Sequence, residues 1–521
     1  MILFKERIPG ILTALTALAA PVAGQAGQDV FQDVIDVRVV NLEVVVTGKD
    51  DERVTGLAPE DFVVTVDGQA VPIEYFSEIR TGEARTYDSG NVGAPSPARI
   101  EGTSYLVFVD EVFPLGRDRD RALDHVIEGL PALGPGDQMA VVAFDGKKLE
   151  MLANWTRSSD ALRRVLEDAK ERMAHGLEEM ALAAARAGMP WRAAAHARRE
   201  RIERVTLAAT ATLRSFANPP GRKVMLVLSG GWPVGYTDTF AVSPTLASLP
   251  DSLGYRDLYR PLSDTANRLG FTLYTMDMKI FNFSAGVSAE HRTSGEARAA
   301  FERSFLRDEA ENTILLRLAG ETGGLAFLNQ KGGDAFSAMV ADTRSYYSLG
   351  FTPAWKGDDR RHTVAVSVRR VGLRARARRS FSDLSRQTEV TMMVESALIF
   401  DAAPAPGSLV VRVSETAERS LRRALVPFEI EIPLDPLTFL PSSGSWQTEL
   451  ELRVAAEDGQ GHRNEISVVP VVLAFPQRPP AGRHAVYETA VHLRNRKHVL
   501  VVSLFDPISG QLWWTRLDVV P

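Results

Sequence analysis

The chain has 521 residues, 45% hydrophobic and 24% charged, with a formal net charge of −6 and no cysteine. That balance excludes a generally basic nucleic-acid binder, and the lack of thiols excludes disulfides, thiolate metal sites and cysteine nucleophiles. The length suffices for several packed domains at roughly 100–200 residues each.

From the N-terminus, Lys5 and Arg7 precede a mostly apolar, uncharged run from Ile8 to Ala20. Small residues follow in Val22-Ala23-Gly24 and Gly24-Gln25-Ala26, and either suits a small-x-small cleavage site. The run is about 13 residues long and contains Pro9 and Gly10, whereas a spanning helix needs roughly 20 apolar residues. Residues 1–26 therefore read as a signal peptide, with a membrane anchor as the weaker alternative. The expected mature protein is exported, periplasmic or extracellular, with no membrane span after cleavage.

Residues 29–80 read as a small N-terminal β domain. Ile35, Val37 and Val39 alternate with polar neighbours, and Phe62–Val66 meets Val71–Phe76 across Asp67-Gly68. Asp-Gly between apolar runs predicts a hairpin, because glycine accepts positive φ without steric cost. Residues 81–99 are rich in Gly, Pro, Ser and Thr and read as a linker.

The texture then changes. Tyr105–Val109 is a continuous apolar run ending in Asp110, as expected of a strand buried on both faces of a parallel sheet. Similar runs lie at Gln138–Phe144, Val224–Ser229 and Phe271–Met276, with helical stretches between them. Alternating strands and helices imply right-handed crossovers and an α/β, doubly wound, mostly parallel sheet over residues 100–385. Gly324–Phe327 and Ser345–Phe351 are expected to complete that sheet. Residues 160–217 read as a helical insertion whose Arg198, Arg199, Arg201 and Arg204 alternate with Glu200 and Glu203. That pattern suits a solvated helix face better than an anion site. Residues 279–308 read as a second insertion. After Asp383 short apolar stretches recur between turn clusters, so residues 386–521 read as a C-terminal β-sandwich.

Catalytic motifs are sparse. None of the nine histidines has a metal-ligand spacing, and His362 falls in a predicted strand. Leu228-Ser229-Gly230-Gly231 lacks the glycine before serine that a nucleophile elbow requires. No phosphate-binding glycine loop occurs, and no cofactor is implied.

Three features together resemble a von Willebrand factor type A domain. They are the strand ending in Asp110, the Gly136–Phe144 segment, and the strand ending in Ser229-Gly230-Gly231. Asn41–Thr47, Val54–Leu57, Glu60–Phe62, Ser345–Pro353, His362–Val364 and Arg378–Phe381 further resemble the VWFA-related proteins abundant in Acidobacteria. The resemblance covers residues 30–385 and implies a von Willebrand factor A-like, Rossmann-like fold flanked by N-terminal and C-terminal all-β domains. It also implies a metal-ion-dependent adhesion site of the pattern Asp-x-Ser-x-Ser, a loop Thr and a later Asp. Here Asp110 keeps the first position, but Val112 and Pro114 replace the serines and Gly230 replaces the second Asp. The site reads as degenerate. Asp110 is then a strand-end carboxylate accepting hydrogen bonds, with Glu111 and Ser229 as the remaining oxygen donors nearby. Phe113, Trp232 and Pro233 belong to the same loops and are expected to pack as core or rim.

The implied function is non-enzymatic binding or scaffolding, with another protein engaged without metal at the vestigial adhesion-site positions Asp110, Glu111, Val112, Pro114, Ser229 and Gly230. A hydrolase using Asp110, Glu111 and Ser229, and a purely structural envelope component, are the alternatives.

Overall fold

The computed structural model describes residues 39–80, 83–87, 99–100, 102–176, 191–216, 219, 221–232, 256–278, 314–328, 335–353, 356–399, 409–415, 418–442, 444–459 and 463–521. The expected signal peptide, most of the expected linker and the expected second insertion lie outside the described residues. Contacts divide the chain into two compact units, Val39–Ala403 and the C-terminal Pro404–Pro521.

The larger unit is built around a six-stranded sheet: β1 (Thr103–Asp110), β2 (Gln138–Phe144), β3 (Leu149–Thr156), β4 (Arg222–Ser229), β5 (Phe271–Asp277) and β6 (Ala326–Phe327). Their spatial order is β6-β5-β4-β1-β2-β3, and every pairing except β2 with β3 is parallel. All eight residues of β1 are buried, because helices cover both faces. Tyr105, Val107 and Val109 pack with Leu123 and Val126 of α1 (Gly116–Gly129), Leu162 and Leu166 of α2 (Ser159–Lys170) and Met339 of α6 (Ala335–Arg344). Leu106 and Phe108 face the other way. They meet Ile202 and Val205 of α3 (Trp191–Ser215), Leu262 of α4 (Arg256–Leu269) and Leu318 of α5 (residues 314–322). Each such side chain contributes about 1.5–3 kcal/mol by leaving water.

Part of the supposed insertion is therefore core. Ile202, Val205, Ala209 and Leu213 of α3 cover the sheet, while its outer face carries the Arg199–Glu203 ion pair at 3.0 Å.

The Asp67-Gly68 turn forms, with φ of 50° and 82° at its two residues, but the strand that returns is Gln69–Val71 and not Val71–Phe76. Its module is shared, however. Val40–Thr47 and Tyr75–Arg80 both pair with Tyr346–Phe351, placing Leu42 and Phe76 on either side of Leu349. Phe62–Val66 pairs with Arg361–Val368, which in turn pairs with Ser380–Ser382. Leu42, Phe62, Phe76, Tyr347, Leu349 and Phe381 share one core. Two expectations are corrected here. Ser345–Phe351 does not complete the parallel sheet, and the boundary at residue 80 cuts through a β module completed by residues 346–382. The reason is ladder length. The edge strand β6 offers two residues, whereas the N-terminal strands offer five register pairs on each side. Asp342 ties this module to the sheet, accepting both nitrogen–oxygen contacts of Arg376 (2.7 and 2.8 Å) as well as Arg53 and the Tyr274 hydroxyl.

A further correction concerns residues 386–399, which were expected to be β. They form α7 (Arg386–Ile399), begun by the Ser385 hydroxyl accepting from Thr388 N at 3.2 Å. Val390, Val394 and Leu398 recur at helical spacing and are buried, and Glu395 pairs with Arg214 at 2.6 Å.

Among the described residues, the C-terminal unit contains two antiparallel sheets. Arg423–Pro433 pairs along its whole length with His484–Arg494, while Ser445–Asp458 pairs with Val468–Phe475 and with His498–Phe505. Phe428, Ile430 and Ile432 of the first sheet share a core with Leu450, Leu452, Val502 and Leu504 of the second.

Candidate functional site at the strand ends

The strand order reverses between β1 and β4, so the chain leaves these neighbours in opposite directions. Open α/β sheets place their ligand crevice at this point, outside the carboxyl ends of the strands. Asp110 and Ser229 occupy those two ends.

Asp110 has no solvent exposure. Its Oδ1 accepts from Val112 N at 2.9 Å, and its Oδ2 accepts from Ser229 Oγ at 2.6 Å and from the indole Nε1 of Trp232 at 3.1 Å. Burial pushes the carboxyl up to about 6, against the downward pull of hydrogen bonds from Ser229, the Val112 amide, Trp232 and the Phe113 amide. The carboxylate is thus ringed by donors.

Glu111 takes a different path. It is fully buried and receives Arg172 through Nε at 2.7 Å and Nη2 at 3.1 Å, with Arg119 Nη1 at 4.0 Å. Arg119 itself donates to the carbonyls of Lys170 and Arg172 at the end of α2. The loop after β1 is also fixed through its backbone. His175 N donates to Glu111 O at 2.8 Å, and Gly176 N donates to Pro114 O at 3.1 Å.

Two glycines make this closure possible. A Cβ on Gly230 would lie 2.7 Å from the Phe113 carbonyl carbon and from Pro114 N. One on Gly176 would lie 2.4 Å from Pro114 O. These are backbone atoms, so neither approach relaxes cheaply. The volume a side chain at residue 230 would fill is occupied by the loop carrying Phe113 and Pro114.

A divalent cation needs several oxygen acceptors converging on one point. Around Asp110 stand an indole N–H and two amide N–H groups, which can only donate, and Val112, Pro114 and Gly230 bring no side-chain oxygen. The residues present do not fit the cation that the resemblance implies.

Of the sequence-derived site residues, the fold brings Asp110, Val112 and Ser229 into direct contact. Pro114 and Gly230 meet through backbone, and Glu111 is withdrawn into the Arg172 pair. Trp232 is fully buried in the core, and the half-buried Phe113 packs against the same cluster; Pro233 lies outside the described residues. Arg172 and Arg119 escaped the sequence reading. Arg119 lies among Arg117 and Arg121 in a run alternating with aspartates and Arg172 follows α2, so nothing local singled either out.

No family profile matches the chain, and no curated protein matches it. Among solved structures, the SpRpn10 VWA domain is similar at 7% identity, with 46% of this chain and 92% of that one covered and a TM-score of 0.22. The ArnB paralog VWA2 from Sulfolobus acidocaldarius is similar at 11% identity, with 88% and 74% covered and a TM-score of 0.21. A Bacteroides uniformis β-glucuronidase is similar at 13% identity over 22% of this chain, with a TM-score of 0.16. The chain spans 13% of that enzyme's length. TM-scores this low carry no argument about function.

Proposed function

We propose that this is an exported, non-enzymatic binding or scaffold protein whose α/β domain is of the von Willebrand factor A-related type and engages another protein without metal. The supporting observation is the donor ring around Asp110. The carboxylate that would anchor a bridging cation is instead satisfied by Ser229, Trp232 and backbone amides. A binding surface at this end of the sheet then relies on its loops rather than on a shared ion. No helix among the described residues is long and apolar enough to cross a membrane.

One contact favours the hydrolase alternative: Asp110 Oδ2 stands within hydrogen-bond reach of the Ser229 hydroxyl. A nucleophile also needs an approach for substrate, and both side chains are fully buried beside Trp232. The binding reading accounts for that burial and the hydrolytic one does not.

Site-specific photo-crosslinking tests the proposal. A crosslinker replacing exposed Lys147, in the loop after β2, samples the strand-end face, and one replacing Pro131 samples the opposite edge. The expected result is a discrete covalent partner from Lys147 alone, equally abundant with and without EDTA and competed away by unlabelled protein. Crosslinking that requires divalent cations, or none at Lys147, would contradict the reading.

A further inference from the structure

In the same unit, Asp358, His362 and Asp383 each offer one ligand-type atom, and those atoms all lie within 4.8 Å of one another. They come from two stretches of chain. Asp358 lies in the turn before Arg361–Val368, His362 lies near the start of that strand, and Asp383 follows Ser380–Ser382. The register pairs His362 with Phe381, so the antiparallel ladder itself brings the trio together.

We propose that Asp358, His362 and Asp383 form a binding site for a divalent transition metal of the zinc class. The first supporting feature lies outside the trio. His362 Nδ1 is 2.8 Å from Asp67 Oδ2, and Asp67 is oriented in turn by Thr363 N, 2.8 Å from its Oδ1. Metal-bound histidines characteristically give their second ring nitrogen to a carboxylate, which fixes the tautomer and raises ligand basicity. With Nδ1 committed to Asp67, Nε2 is the nitrogen left for a metal. The ring is also stacked on Phe381, with centroids 5.0 Å apart, so its orientation is set by packing.

The second feature is Asp383. It is 3% exposed, and its Oδ2 accepts from the amides of Lys356 and Gly357 at 2.5 and 3.0 Å. Those two amides fix the orientation of the carboxylate within the cluster.

The donor set selects the metal. One imidazole and two carboxylates suit Zn²⁺, whereas Mg²⁺ prefers oxygen ligands and water. Two carboxylates and a neutral imidazole sum to −2, which a divalent ion neutralises. Nearby charges include Arg360, whose Nε is 3.3 Å from Asp358 Oδ2 and whose side chain is 76% exposed, and Asp67. The exposed Asp358 side leaves a solvent path and an open coordination position.

The test is titration of chelator-stripped, tag-free full-length protein with Zn²⁺ by calorimetry, and with Co²⁺ by visible absorption. One equivalent is expected to bind, with a Co²⁺ d–d band typical of nitrogen and oxygen ligation and a rise in Tm. Asp358→Asn, at an exposed turn, is expected to weaken binding at least about tenfold, and Asp67→Asn about 10–100-fold. His362→Ala should abolish it, while Asp110→Asn should leave it unchanged. Failure to bind one equivalent of Zn²⁺, or binding unaltered by both Asp358→Asn and His362→Ala, overturns the proposal.

Discussion

Trp232 Nε1 donates to Asp110 Oδ2 across 3.1 Å, with both side chains fully buried. The indole therefore serves two purposes: it fills apolar space in the core against β1 and β4, and it stabilises the charged form of a desolvated carboxylate. Trp232→Phe separates them, since phenylalanine keeps most of the packing and loses the donor. Urea denaturation at pH 7 should show a loss of about 1.5–3 kcal/mol, the usual scale for a hydrogen bond to a charged group. An unchanged midpoint would mean that the indole N–H is immaterial.

The Asp110 carboxyl makes stability depend on pH in a defined direction. Folding raises its pKa from the unfolded value near 4 to about 6. Between those values the folded state keeps a proton that the unfolded state has released. The stability gained from this group is present in full below about pH 4 and is lost as pH rises through 6, on the order of 3 kcal/mol in all. Subtracting the stability of Asp110→Asn from that of the wild type at each pH isolates the effect. The difference should fall across pH 4–6; a flat difference would refute the assignment.

Gly230 tests the closure of the loop. Gly230→Ala places a Cβ against the Phe113–Pro114 backbone and should cost about 1–3 kcal/mol, as overpacking does. Gly230→Asp, which adds a second acid beside Asp110, should be more destabilising and should confer no Mg²⁺ affinity. Thermal melts with and without Mg²⁺ read both effects.

Glu111 and Arg172 form a pair with only the carboxylate fully buried. Arg172→Ala leaves Glu111 with Arg119 at 4.0 Å as its nearest cation, and should cost about 3 kcal/mol. The double variant Glu111→Gln, Arg172→Met should recover much of that loss. A double-mutant cycle giving no coupling would show that the pair is incidental.

The sheet was legible where local pattern carries long-range meaning. Tyr105–Val109 has no polar residue, which only a strand covered on both faces tolerates, and Asp67-Gly68 can hardly be anything but a tight turn. The partner of Tyr346–Phe351 was not legible, because its pattern suits either sheet and the choice rests on ladders far away in sequence. Helix α7 was marked by Ser385 and by Val390, Val394 and Leu398 at helical spacing, but the β-rich sequence after it obscured the signal. At the candidate site, the absence of side-chain oxygens at Val112, Pro114 and Gly230 was visible, and so was the lone acid Asp110. The groups that satisfy Asp110 and Glu111 were harder to see. Trp232 lies 122 residues from Asp110, and Arg172 lies 61 from Glu111. The Asp358, His362 and Asp383 cluster escaped for a similar reason, since it is assembled by strand register and turns rather than by a motif.

The central claim is that the strand end is closed and needs no cation. Titrating Zn²⁺-free protein with Mg²⁺, Ca²⁺ and Mn²⁺, in wild-type, Asp110→Asn and Asp358→Asn forms, tests it most directly by Tm. The expected result is that no cation produces a rise in Tm that depends on Asp110. A rise in the wild type that Asp110→Asn abolishes and Asp358→Asn preserves would contradict the claim.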